Sequence, residues 1–252
     1  MPAHEPGASP VLVLTPEGGP VITGAASDTA VYDPVDTLCA THPGGAVGLS
    51  AQLAGTPAPL VREAARALAR FDGSTGTAPR GGVAVTTIGY LSRGQAELAA
   101  ATGRTVVSSP LLAVPTLLAM VPPGRTVLVV YADAGLADPH ADLPGVPADR
   151  LGDVEVIGLE GPGPFRRAVL DRTEEFDHTA VARQIIAAIE RPRLGAVVLE
   201  CGEMAAVAAR FAPQSPCRSS TTTRWSASCS RRQGTGGDEF GAHVRSGRWR
   251  SR

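Results

Sequence analysis

The chain contains no lysine, so every basic side chain other than histidine is arginine. With 29 Gly, 22 Pro and abundant Ala, this reads as coding bias in a GC-rich genome, not as selection for guanidinium chemistry. A surplus of charge is also lacking. The formal net charge is -1, which gives no electrostatic ground for a nucleic-acid or anionic-membrane partner. Long apolar runs are absent too: the longest, 110–121, is interrupted by Pro115 and is too short to span a bilayer. Residues 1–10 carry no basic cluster, and the apolar run 11–14 is too short for a signal peptide, so the expected location is the cytoplasm. Cys39, Cys201, Cys217 and Cys229 show neither Cys-x-x-Cys spacing nor a histidine at ligand distance. No zinc site and no cofactor are expected, nor disulfides in that compartment.

What is present is enough apolar material for a core, 43% against 19% charged, in a chain of 252 residues. Short apolar runs alternate with Ala-rich helical stretches, the pattern of βαβ units and a mostly parallel sheet. Strands are expected at 11–14, 82–87, 105–107, 126–131, 154–159 and 196–199. Helices are expected at 57–71, 91–102, 111–120, 165–170, 179–189 and 203–211. In the first helix Leu60, Ala64, Ala67, Leu68 and Phe71 share one face and Arg62, Arg66 and Arg70 the other. Residues 15–54 are Gly/Pro-rich without a clear period. The fold class is therefore α/β: two pseudo-symmetric parallel-sheet, flavodoxin-like halves around a central cleft, followed by an aberrant tail. The boundaries are 8–118, 119–213 and 214–252.

An internal echo carries the functional reading. Gly82-Val-Ala-Val-Thr-Thr-Ile88-Gly89-Tyr-Leu91 aligns without gaps on Gly195-Ala-Val-Val-Leu-Glu-Cys201-Gly202-Glu-Met204. Each segment runs an apolar strand through a glycine into a helix, and ligands of parallel α/β sheets bind beyond the carboxyl ends of strands. Any two strand-to-helix turns share some of this shape, so chance remains the competing explanation. If the echo is real, Ile88 mirrors Cys201.

From about Gln214 the character changes to Ser, Thr, Arg and Gly without apolar period. One explanation is a basic arm; the preferred one is a frameshift. Back-translated with GC-rich codons and read two bases later, Ser215–Trp225 becomes Ala-Val-Pro-Val-Phe-Asp-Asp-Asp-Thr-Leu-Val. First bases of the new codons are free, but most second and third bases are not. The tail as it stands is expected to be coil, with Trp225 and Trp249 unburied, because its few apolar groups cannot offset the entropy of ordering.

Four segments together resemble the cofactor-independent aspartate/glutamate racemase superfamily, near its hydantoin racemase and arylmalonate decarboxylase-like members. They are Val85-Thr-Thr-Ile-Gly-Tyr-Leu91, Ser108-Ser-Pro-Leu-Leu-Ala-Val-Pro115, Val156-Ile-Gly-Leu-Glu160 and Val198-Leu-Glu-Cys-Gly-Glu-Met204. The last is the most specific, and the likeness covers about half the chain, 82–212. It implies an isomerase-type enzyme that moves a proton at a carbon next to a carboxylate or carbonyl, without a cofactor. The implied partner is a small carboxylate or hydantoin-like substrate; homo-oligomerisation stays open. The chain departs from the family at Ile88, where a first catalytic Cys is usual, and at Gly202 and Glu203, where Thr and Asn are common.

The chemistry follows from these positions. A free thiol titrates near about pH 8.5, and a helix start moves it toward neutrality. Cys201 sits at such a turn and is the candidate catalytic residue; a small buried hydrophobe is the competing role. Glu200 and Glu203 would raise its pKa if they point inward. Ile88 cannot move protons, so two-base racemisation through residues 88 and 201 is excluded, and protonation is expected from the thiol side only. The alternatives are a one-thiol decarboxylase of malonate-type acids, in which Ile88 lines the pocket of the departing carboxylate, and an inactive remnant or carboxylate-binding protein. Thr86, Thr87, Ile88, Gly89, Ser108, Ser109 and Gly202 are the candidate substrate-binding residues, with simple N-capping the competing role of the hydroxyls. Tyr131 reads as a core or rim residue. His140 reads as an exposed helix start, His42 as a loop residue without a partner, and Asp177-His178 as the beginning of a helix.

Overall fold

The computed structural model describes residues 11–32, 37–42, 58–74, 82–208, 210 and 218–220. Two four-stranded parallel sheets make up the architecture. In the first, β1 (Val11–Pro16) lies between β2 (Thr37–His42) and β3 (Val83–Thr86), with β4 (Thr105–Val107) beyond β3. In the second, β5 (Thr126–Tyr131) lies between β6 (Val154–Gly158) and β7 (Leu194–Leu199), with β8 (Arg218–Ser220) beyond β7. The orders 2-1-3-4 and 6-5-7-8 are the same order, and it matches the start of the flavodoxin-like doubly wound sheet. β3 and β7 are therefore equivalent strands, and Ile88 and Cys201 each stand two residues beyond the end of their strand.

Local chemistry explains the main elements. Helix α1 (Ala58–Ser74) buries Leu60, Ala64, Ala67 and Leu68 while Arg62 and Arg66 stay exposed, as its period requires; Arg70 and Phe71 lie outside the residues whose side chains are described. A later helix, His178–Ile189, starts at Asp177, whose carboxylate accepts from Thr179 N at 2.8 Å and Ala180 N at 3.0 Å. It buries Val181, Ala182, Ile185 and Ile189. Every residue of β5 is buried. Val127, Val129 and Tyr131 point into one apolar cluster, Leu128 and Val130 into the other, so a strand covered on both faces reads as a continuous apolar run. Each such aliphatic side chain contributes about 1.5–3 kcal/mol by leaving water.

The first cluster joins the halves. Leu12, Leu14, Leu60 and Leu91 of the first half pack in it with Val127, Val129, Tyr131 and Val198 of the second. A buried polar lock reinforces the seam. The Arg93 guanidinium, in the 3-10 turn Gly89–Gly94, pairs with Asp142, and both side chains are almost fully withdrawn from solvent. Asp142 also accepts from Tyr131 Oη at 3.1 Å and Asp138 N at 2.7 Å, while Arg93 donates to Leu136 O at 2.7 Å. Tyr90 donates across the seam to Asp133 O at 2.7 Å and its ring stacks on Tyr131 at 5.9 Å.

Several sequence expectations need correction. Strand β2 falls inside the stretch read as aperiodic. The helices expected from 91, 111 and 203 begin as the 3-10 turns Gly89–Gly94, Pro110–Ala113 and Gly202–Met204, and the one expected at 165–170 is a π-turn, Arg166–Leu170. The tail expectation fails at Arg218–Ser220, which pairs in parallel with β7 through Ala196, Val197 and Val198. Such pairing uses backbone groups, so the open edge of β7 can be satisfied without apolar side chains. Trp225, Trp249 and residues 221–252 lie outside the described residues, as do Cys39, Cys217 and His42 as side chains. Tyr131 is fully buried, and His140 is exposed behind its cap Asp138. Among the described residues no helix is long and apolar enough to cross a membrane.

The lock makes a stability prediction. Asp142→Ala leaves a buried guanidinium unpaired and is expected to cost about 3–5 kcal/mol in urea unfolding. Asp153→Ala, which breaks the exposed pair with Arg150, should cost under about 1 kcal/mol. Equal losses would show that the Arg93 pair does not hold the seam.

Candidate active site

Between the halves lies a cavity of about 310 Å³. The turn after β3 lines it with Thr87, Ile88, Gly89 and Tyr90, and the turn after β7 with Glu200, Cys201 and Glu203. Asp133, Glu160, Arg166 and Arg172 complete its polar wall, and Pro16, Gly19 and Pro20 its rim.

The two turns interlock by a crossed, pseudo-symmetric contact. A Cβ on Gly89 would collide with the Glu200 carboxyl, and a Cβ on Gly202 would stand 2.8 Å from the Thr87 Cβ. In the echo alignment Thr87 corresponds to Glu200 and Gly89 to Gly202. Each half thus sends the side chain before its central turn position onto the glycine of the other half. Gly202 is required for that close approach, since a Cβ there would meet the Thr87 backbone at 3.1 Å, whereas a Cβ on Gly89 would displace the Glu200 carboxyl. The carbonyl of Gly202 also accepts from Ala26 N at 3.0 Å, which ties the loop after β1 to the second half.

The candidate residues divide. Cys201, Thr87, Ile88 and Gly89 line the cavity together. Thr86, Ser108, Ser109 and Gly202 do not line it, and the hydroxyls of the first three are engaged locally. Thr86 Oγ1 donates to Ser108 O at 2.6 Å and Ile88 O at 3.3 Å. Ser108 donates to Gln95 Oε1 from both N and Oγ, at 3.1 and 2.6 Å. Ser109 Oγ caps the following turn by accepting from Leu111 N at 3.1 Å. By contrast Thr87 Oγ1 is buried and has no hydrogen-bond partner among the described residues. An orphaned hydroxyl in a cavity wall carries a desolvation cost that a bound acceptor would relieve.

Electrostatics set the proton inventory. The Cys201 thiol donates to Glu203 Oε2 at 2.8 Å. Burial, then the Glu203 and Glu200 carboxylates, push the thiol well above its ordinary value, so it is a thiol and not a thiolate at neutral pH. Burial likewise raises Glu203. Glu200 is 2% exposed; burial raises it to about 8 against a backbone N–H from Ala132, at 3.3 Å, that favours the anion. Burial also raises the Tyr90 and Tyr131 hydroxyls. The helix-start depression of the thiol expected from sequence is thus reversed, first by burial and then by two inward carboxyl groups. Glu200, Tyr90, Asp133, Arg166 and Arg172 were not among the candidate site residues. The signal that could have found Glu200 is its alignment on Thr87, one residue before the turn. Among the described residues no three His, Cys, Asp or Glu side chains are arranged to hold a metal ion.

No family model matches the chain, and no curated protein does. Among solved structures the chain is similar to one from Yersinia pestis assigned as an Asp/Glu racemase. The identity is 13%, the TM-score 0.45, and the likeness covers 87% of this chain and 96% of that one.

The raised Glu200 predicts a pH effect on stability. Between its ordinary 4.5 and about 8 the folded state holds a proton that the unfolded state releases. Its contribution therefore favours folding at low pH and is lost progressively as pH rises through that window. Urea midpoints of wild type should fall relative to Glu200→Gln from pH 5 to pH 8; parallel profiles would show an unperturbed carboxyl.

Proposed function

We propose that the cleft binds a small carboxylate or hydantoin-like molecule and that Cys201 delivers a proton to the carbon next to its carboxylate or carbonyl. This is isomerase-type chemistry of the cofactor-independent racemase superfamily, with the first catalytic Cys replaced by Ile88. The observation that carries the reading is the Cys201 thiol hydrogen-bonded to Glu203 inside a cavity that both equivalent turns line. The orphaned Thr87 hydroxyl and the guanidinium groups of Arg166 and Arg172 are the groups suited to an anionic substrate. In the proton-delivery step the Sγ–H bond breaks, its proton forms the new C–H bond with the enolate electron pair, and the thiolate takes its next proton from water.

A second reading is favoured by one feature, the thiol held protonated in a cavity that the apolar Ile88 also lines. A malonate-type acid would lose carbon dioxide, leaving the electron pair of the broken C–C bond on the α-carbon, and Cys201 would protonate it. The inactive-remnant alternative requires an inert Cys201.

Two assays in deuterium oxide test these readings: α-deuteration of D- and L-aspartate and of both 5-benzylhydantoin enantiomers, and carbon dioxide release from phenylmalonate. Formation of the deuterated opposite enantiomer, or carbon dioxide release, should drop by about a hundredfold or more in Cys201→Ala. Either product formed undiminished in Cys201→Ala, or neither product with any probe, would overturn the reading.

A further inference from the structure

On residue type alone, Ile88 itself has no group able to move a proton. The crossed contact of the turns brings one beside it. Glu200 leaves the second half and lays its carboxyl on Gly89, the residue next to Ile88, while Cys201 packs against the apolar cluster of its own half. Two neighbours in the chain thereby line one cavity, and one of them lies against the turn of the other half. We propose that Glu200 is the second proton-transfer residue of the cleft, acting on the face of the α-carbon that Ile88 and Gly89 border. This rests on the proton-transfer reading of Cys201 and deepens it.

Three further observations support the assignment. The Glu200 side chain is almost completely buried and yet lines the cavity, a costly place for a carboxyl that only fills space. Its Oε2 is oriented by Ala132 N, which directs the carboxyl without neutralising it. Its environment is balanced rather than paired. Arg93 and Tyr90 face it from the first half; Asp142, Tyr131, Glu203 and Cys201 face it from the second, and the Arg93 charge is engaged by Asp142. Burial then leaves Glu200 titrating at about 8, where a base of useful strength can still be ionised near neutral pH.

The proton balance closes without a co-reactant. The ionised Glu200 removes the α-proton, the C–H electron pair passes into the enolate, and the Cys201 thiol delivers its proton to the opposite face. Glu200 is left protonated and Cys201 ionised. In the reverse direction the roles exchange; otherwise solvent restores both.

The test follows deuterium exchange of each enantiomer separately, with D- and L-aspartate and both 5-benzylhydantoin enantiomers as probes, in wild type, Glu200→Gln and Cys201→Ala. Wild type should exchange both enantiomers of the accepted probe. Glu200→Gln should lose exchange from one enantiomer by about a hundredfold or more and so lose racemisation. Gly89→Ala, which displaces the carboxyl, should show the same one-sided loss. Wild-type exchange of that enantiomer should rise with pH through about 8, and this profile decides the matter even if Glu200→Gln does not fold. Exchange abolished by Cys201→Ala but unchanged in Glu200→Gln, or a flat profile, would overturn the role of Glu200 alone. Absence of exchange in wild type would overturn it together with the reading of Cys201.

Discussion

The buried pair between Arg93 and Asp142 is the contact on which the cleft depends. Arg93 belongs to the turn that follows Ile88, and Asp142 to the segment after β5, so the pair fixes one half's active turn against the other half's scaffold. Tyr131, at the end of β5, holds Asp142 from below and stacks on Tyr90. A salt bridge of this kind adds little net stability over apolar packing, but breaking it leaves a charge stranded. Its value here is geometric. With the seam fixed, the glycines at 89 and 202 can sit under side chains of the opposite half, and the two strand ends share one cavity.

That closeness has an electrostatic cost, and the cost has a chemical use. Glu200 and Glu203 are buried and flank one half-buried thiol. Burial and mutual repulsion keep protons on groups that would otherwise release them. A site so arranged starts with an acid in place, where a site with a lone exposed cysteine would start with a nucleophile. Paired titratable groups pushed apart by environment are a recurrent means of separating acid from base. Cys201 and Glu200 differ in this sense: burial and two carboxylates hold the thiol well up, while an oriented N–H favours the anion of Glu200 against its burial.

Much of the fold was legible in the residues because parallel strands buried on both faces read as apolar runs and Asp177 announces its helix. Strand β2 was not, because Thr37-Leu-Cys-Ala-Thr-His lies in Gly/Pro-rich surroundings and alternates weakly. The 3-10 starts at Gly89, Pro110 and Gly202 were not legible either, since apolar period does not distinguish tight from regular first turns. At the site, the echo correctly paired residues 88 and 201 as equivalent strand-end positions. The sequence leaves the hydroxyls of Thr86, Ser108 and Ser109 open between substrate binding and capping, and in the structure they cap and brace the turns. Composition cannot separate those roles; only the direction of each hydroxyl does. For the same reason Glu200 was weighed as a perturbation of the thiol and not as a group of the cavity.

The ionisation of Cys201 probes the central relation most directly. Iodoacetamide labelling of the Cys201 peptide, followed by mass spectrometry from pH 6 to 11, reports thiolate formation separately from Cys39, Cys217 and Cys229. A thiol that donates to a buried Glu203 carboxylate should react only well above pH 9, and Glu203→Gln, which removes the negative charge, should move the onset to lower pH. Reaction with a midpoint at or below about pH 8.5, unchanged in Glu203→Gln, would contradict the thiol–carboxylate pair and the proton-donor role built on it.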